Sequence, residues 1–120
     1  MFDALAKDCA DLFIGKGADA RKSKAWRQVY RALQHGAAKT ACEAAKNMKF
    51  PQEILDFADA FVMLQQERHT ADYDPHSKYN RAQTIALIRL AEDTIKAFTN
   101  SPIFDRRAFA VWTILPKPKA

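Results

Sequence analysis

Residues 23–47 read SKAWRQVYRALQHGAAKTACEAAKN, and their apolar side chains recur every three or four positions. At about 100° per residue, this spacing predicts one amphipathic helix, for which Ser23 is a suitable N-cap. The apolar side of this helix consists of Trp26, Val29, Tyr30, Leu33, Ala37, Ala41, Ala44 and Met48. The opposite side, which we call the basic stripe, consists of Lys24, Arg27, Arg31, His35, Lys39 and Lys46.

A shorter amphipathic segment precedes this helix at the N-terminus. Phe2, Leu5 and Cys9 follow one another at spacings of three and four, which predicts a helix over residues 2–14. Glycines 15 and 17 then supply a C-terminal stop and a flexible joint. Residues 1–22 are therefore expected to form an N-terminal helix and a glycine joint.

The C-terminal half shows three more helical patterns. The first runs from Pro51 to about residue 73, because proline suits a first helical turn and Pro75 disfavours helix at the residue before it. The second begins near Asn80, and a short one follows Ser101-Pro102 and ends before the tail, 116–120. No segment alternates with a period of two. We predict a single all-α domain over residues 1–120, an up-and-down four-helix bundle with an additional short C-terminal helix and a loose tail.

Composition narrows the class of protein. The chain has 120 residues, of which 48% are hydrophobic and 28% charged, as expected of one globular domain rather than a disordered chain. No apolar run approaches the ~18 residues of a membrane span. The N-terminus carries acids where a signal peptide needs a basic patch, so a cytoplasmic location is expected. Cys9 and Cys42 fit no ligand pattern and are expected to be small apolar fillers.

Positive charge is concentrated in one part of the chain. The net charge is +5, but the segment from Lys16 to Lys49 holds nine basic and only two acidic residues. A one-sided positive field attracts polyanions, so the basic stripe is a candidate nucleic-acid-binding surface, with RNA as the first ligand to consider. The alternatives are a solvated helix face and a surface that meets an acidic protein partner.

The apolar pattern breaks in residues 67–76, ERHTADYDPH. At about 100° per residue, Arg68 and Asp72 fall within roughly 40° of Ile54 and Phe61, where a core is expected. Burying an unpaired Arg or Asp is costly, so these two side chains must form a pair or line a cleft. This segment is therefore the candidate catalytic site.

Three interpretations of this segment remain open. In the first, Arg68 and Asp72 form a buried structural pair and Tyr73 bonds a neighbouring helix. In the second, Arg68 holds a phosphate while His69 or His76 acts as acid or base. The third interpretation is a metal site. The sequence shows no second cluster of ligands that would complete it, so we expect no metal and no cofactor. That site would consist of His69, Asp72, Asp74 and His76.

The segment ERHTADYDP, late in one helix and followed by another long helix, resembles the HEPN superfamily. Many small bacterial members carry a related R-x-x-ADY-D segment, and WRQVYRALQHG at residues 26–36 looks like the tyrosine-containing helix that precedes it. The resemblance covers roughly residues 23–98 in organisation. It implies a four- to five-helix bundle, frequent homodimers, association with RNA and, in some relatives, a nucleotidyltransferase-like partner.

The sequence departs from the ribonuclease members of that superfamily, which carry an Arg and then a His after four to six intervening residues. Here Arg68 is followed directly by His69, and seven residues separate it from His76. Arg31 and His35 have three residues between them.

Where the catalytic histidine would be expected, this sequence offers Asp72 followed by Tyr73. Arg68 nearby would lower the pKa of this carboxyl group, which makes it a poor general acid. We therefore predict a HEPN-like RNA-binding module rather than an enzyme. The alternatives are a protein-binding module and a metal-independent ribonuclease with an altered site. The catalytic candidates of that enzyme would be Arg68, His69, Asp72, Tyr73 and His76.

Overall fold

The structure, a computed structural model, describes residues 1–73 and 81–115, the side chains of residues 68–73 excepted. The regular structure of these residues is entirely helical, with no strand, which confirms the predicted all-α class. Its helices are α1 (Phe2–Phe13), α2 (Ala18–Arg21), α3 (Lys24–Ala32), α4 (His35–Ala44), α5 (Gln52–Tyr73), α6 (Arg81–Thr99) and α7 (Ile103–Ile114), with a 3-10 turn at Ala45–Asn47.

The single helix predicted over residues 23–47 is wrong, because the chain bends in the middle of it. Leu33 and Gln34 adopt extended backbone, with ψ angles of 129° and 142°, so α3 ends before them and α4 begins after them. Leu33 is buried in the core. The bend lets α3 pack against α1 while α4 packs against α5 and α7, which one straight helix could not do. The apolar spacing continues through the bend, so periodicity alone does not reveal it.

The other helix limits follow the sequence closely. The Ser23 N-cap is confirmed, since its hydroxyl accepts a hydrogen bond of 3.1 Å from the backbone N–H of Trp26. The predicted joint contains the short helix α2, which periodicity missed. Gly15 has a φ of 140°, a conformation that side-chain-bearing residues rarely adopt. The helices α5 and α7 begin and end within two residues of their predicted limits.

The core is built around three phenylalanine rings from three helices. Phe57 of α5 stacks on Phe98 of α6 with ring centroids 4.3 Å apart, and Phe109 of α7 meets Phe57 edge-on. The small buried side chains Cys9 of α1 and Cys42 of α4 belong to the same cluster, as expected of apolar fillers. Burial raises the pKa of each thiol to about 12.

A buried ion pair joins the first helix to the last. Arg106 Nη1 lies 2.8 Å from Asp8 Oδ1, and Arg106 Nε donates to the backbone carbonyl of Ser101. Both side chains are buried. The pair joins these two helices through residues that are 98 positions apart in the chain.

None of the helices in the described part of the chain is long and apolar enough to cross a membrane.

Candidate nucleic-acid interface

Three members of the basic stripe converge on the outer face of α3. Lys24, Arg27 and Arg31 stand at positions i, i+3 and i+7, which a helix brings to one side. All three are exposed. They line one open depression of about 600 Å³, together with Gln28 and Ala32.

The inner side of α3 is held by acidic residues of α1, which turns the basic side outward. Trp26 Nε1 donates a hydrogen bond of 3.0 Å to Asp11 Oδ1, and the Tyr30 hydroxyl donates to Asp3. The Trp26 and Tyr30 rings stack with centroids 5.3 Å apart. These contacts fix the rotation of α3, so its cations face solvent rather than α1.

The contact between Asp3 and Tyr30 changes both acidities. The hydrogen bond from Tyr30, aided by Lys7, holds the pKa of the Asp3 carboxyl below its usual value of 3.8. The same hydrogen bond raises the pKa of Tyr30, because removing the phenolic proton would place two negative charges together. At neutral pH the pair is therefore a phenol and a carboxylate.

The bend between α3 and α4 divides the basic stripe. His35 stacks on Phe2 with ring centroids 3.8 Å apart, and its Nδ1 lies 3.4 Å from Gln65 Nε2. It lines a different cavity, of about 180 Å³, between α1, α4, α5 and α6. Lys39 is half-buried on α4 and Lys46 is exposed on the 3-10 turn. Only the α3 members of the stripe share the depression.

The candidate catalytic segment lies at the C-terminal end of α5. The backbone of Arg68, His69, Asp72 and Tyr73 continues this helix, as predicted, while their side chains lie outside the described residues. His76 and Asp74 also lie outside them. The structural pair, the nuclease site and the metal site in this segment therefore stay predictions. Elsewhere, in residues 1–67 and 81–115, no group of three or more His, Cys, Asp or Glu side chains could hold a metal ion.

The polar contacts of α1 were missed by sequence reasoning. Asp8 falls three residues after Leu5 and four before Leu12, on the apolar face of α1, and this placement was a usable signal of burial. Nothing local identifies its partner Arg106. Asp11 likewise accepts two hydrogen bonds from Arg21, of 3.1 and 2.8 Å.

The chemistry available in the depression is anion binding. Guanidinium groups donate paired hydrogen bonds to phosphate oxygens, and an ammonium group adds a point charge. Arginine holds its proton throughout the physiological range, so Arg27 and Arg31 can hold a phosphodiester but cannot shuttle a proton. Comparison with protein-family models, with curated proteins and with solved structures finds no match to this chain. We therefore interpret this surface from the structure alone.

Proposed function

We propose that the protein is a nucleic-acid-binding module that takes RNA through the depression on α3. The observation that carries the proposal is the convergence of Lys24, Arg27 and Arg31 on one open surface. At about 1.5 Å per residue, these side chains span about 10 Å of the helix axis. This length covers about three intervals between consecutive phosphates, which advance by about 3.4 Å each along one strand of a duplex, so each of the three side chains can reach a different phosphate.

The depression favours contact with the backbone of the ligand over recognition of its bases. Its lining consists of three cations, the Gln28 amide and the Ala32 methyl group. The aromatic side chains of α3, Trp26 and Tyr30, are engaged with α1. We therefore expect binding that depends strongly on salt and weakly on sequence.

The HEPN-like assignment, with its up-and-down bundle, belongs to the same proposal. It is supported by the ERHTADYDP segment, whose first seven residues lie at the end of the long helix α5, and by the helix α6 that follows. The proposal is for binding without the ribonuclease chemistry of that superfamily.

Fluorescence anisotropy with a labelled single-stranded RNA tests the binding surface. With three phosphate contacts at a slope of about −0.7 each, affinity should fall about 20-fold between roughly 50 and 200 mM salt. The double variant Arg27→Glu/Arg31→Glu should lose binding at both salt concentrations.

The matched control reverses two exposed cations of α6, Arg89→Glu/Lys96→Glu, which changes the net charge equally. It should bind RNA more than tenfold more tightly than the α3 variant. An equal loss in both variants would assign the binding to net charge alone, and a wild-type protein that fails to bind at low salt would refute the proposal.

The same RNA, analysed on a denaturing gel, tests the enzymatic alternative. We expect intact RNA after incubation with the wild type. Cleavage that disappears in Arg68→Ala, while the variant keeps its helical circular dichroism spectrum, would replace the binding module with a ribonuclease.

A further inference from the structure

The last helix, α7, is apolar on two opposite sides. Its inner side, which includes Phe109 and Ala110, is buried in the core. At about 100° per residue, a second apolar row lies directly opposite and faces solvent. The Phe104 side chain in this row is 79% exposed. The row, which we call the outer seam, consists of Phe104, Ala108, Val111 and Leu115.

The spacing of the outer seam is that of a helix packed against another helix. Its members follow one another at intervals of four, three and four residues, which is the spacing of a coiled-coil seam. Ala108, near the middle, allows two helix backbones to approach closely. Beside the seam lies an apolar groove of about 460 Å³, whose walls include Met48, Phe50 and Trp112. A helix that is apolar on two sides normally has a layer on each of them.

The charges that flank the outer seam complement those of a second copy of this chain when the two helices are parallel. Asp105 lies on one edge of the seam and Arg107 on the other. When a two-fold axis runs along the helices, so that they are parallel, each Asp105 edge meets the partner's Arg107 edge. When the axis runs across the helices, so that they are antiparallel, edges of like charge meet.

We propose that the outer seam of α7 is the interface of a two-fold symmetric homodimer in which the two α7 helices run parallel. Phe104, Ala108, Val111 and Leu115 pair along the seam, and Asp105 of each copy meets the partner's Arg107. A single helix of about 18 Å buries less surface than the ~800 Å² per partner of a standard interface. We therefore expect weak association, with a dissociation constant in the micromolar range. The interface is independent of the depression on α3.

Sedimentation velocity between about 1 and 200 µM protein tests the interface. The wild type should shift from monomer to dimer over this range. Val111→Glu should raise the dissociation constant at least about tenfold, because it places two carboxylates in the seam. Ile88→Glu is the matched control, since Ile88 of α6 is exposed to a similar degree, and it should leave the dimer unchanged. A wild type that stays monomeric at the highest concentration, or equal effects of both variants, would overturn the proposal.

A charge exchange tests the two-fold pairing. Asp105→Arg alone should weaken the dimer, because it then faces the partner's Arg107. The double variant Asp105→Arg/Arg107→Asp should restore the wild-type dissociation constant. A double variant as weak as the single one would overturn the predicted pairing of edges.

Thiol crosslinking with a short bismaleimide distinguishes the parallel from the antiparallel arrangement. Leu115→Cys should crosslink to itself across a parallel seam, whereas a mixture of Phe104→Cys and Leu115→Cys should give no additional crosslinked product. The native thiols, Cys9 and Cys42, are buried and should not react. Crosslinking only in the mixture would show an antiparallel dimer and refute the parallel one.

Discussion

Helix α1 makes polar contacts on two sides, with α7 on one and with α2 and α3 on the other, and the two sets differ in burial rather than in distance. Asp8 lies 2.8 Å from Arg106, with 9% and 7% of the side chains exposed. Asp11 lies 2.8 Å from Arg21, but 51% of the arginine side chain is exposed. An exposed pair is screened by water and contributes little, whereas breaking a buried pair leaves a charge without solvent. Two ion pairs of the same length therefore affect the stability of the fold differently on the two sides of α1.

The acidities of the carboxyl groups reflect this difference. Burial raises the pKa of Asp8 and outweighs the opposing effect of Arg106. Within the described residues, the second oxygen of Asp8 has no hydrogen-bond partner. The pKa of Asp3, on the α3 side, is lowered by its hydrogen bond from Tyr30. The buried pair thus fixes the position of α7 on α1 at a desolvation cost that the surface contacts do not incur.

The largest effect is expected from Arg106→Ala, which leaves the Asp8 carboxylate buried without its partner. The free energy of unfolding should fall by about 3–5 kcal/mol, measured by urea denaturation. Arg89→Ala, which removes an exposed arginine from α6, is the control and should change it by less than about 0.5 kcal/mol. Equal losses in the two variants would show that burial does not distinguish these positions.

A smaller effect is expected from Asp11→Ala on the α3 side. The half-buried Trp26 indole loses its acceptor, which should cost about 1 kcal/mol and lower the melting temperature by about 4 °C. The control is Asp19→Ala, which removes an exposed carboxylate from α2. A loss as large as that of Arg106→Ala would break the distinction between the two sides.

A still smaller, pH-dependent effect is expected from Asp3→Asn. Because the pKa of Asp3 is lower in the folded protein than its usual 3.8, its ionised form stabilises the fold above that pH. The difference in urea midpoint between wild type and variant should be present at about pH 6 and vanish as the pH falls through the folded pKa. The Tyr30→Phe variant should show the same trend. A difference that is constant with pH would contradict the hydrogen bond as its source.

The smallest effect is expected when both members of the buried pair become apolar. Asp8→Leu/Arg106→Met removes the desolvation cost together with the attraction, so stability should return to within about 1 kcal/mol of the wild type. Comparing this variant with the single variants Asp8→Leu and Arg106→Met gives the coupling energy of the pair. A double variant as unstable as Arg106→Ala would contradict this expectation and show that the ion pair itself contributes to the free energy of unfolding.

The parts of the molecule that the sequence predicts are those that depend on local spacing. Lys24, Arg27 and Arg31 share a face because they lie within one helix, and the limits of α5 and α7 follow from their prolines. The bend at Leu33 depends on packing against helices elsewhere in the chain, so it leaves no local trace, and it removes His35 from the surface on α3. The pairing of Asp8 with Arg106 is equally non-local.

The bend at Leu33–Gln34 also determines how mechanical load reaches the core from the proposed RNA surface. Since α3 packs mainly against α1, a pull on its basic face passes sideways into α1 through Trp26 and Tyr30 and onward to α7 through Asp8. Only two extended residues carry it directly along the chain into α4. A force on the binding surface is therefore transmitted mainly through side-chain contacts, and α1 is the helix that receives it.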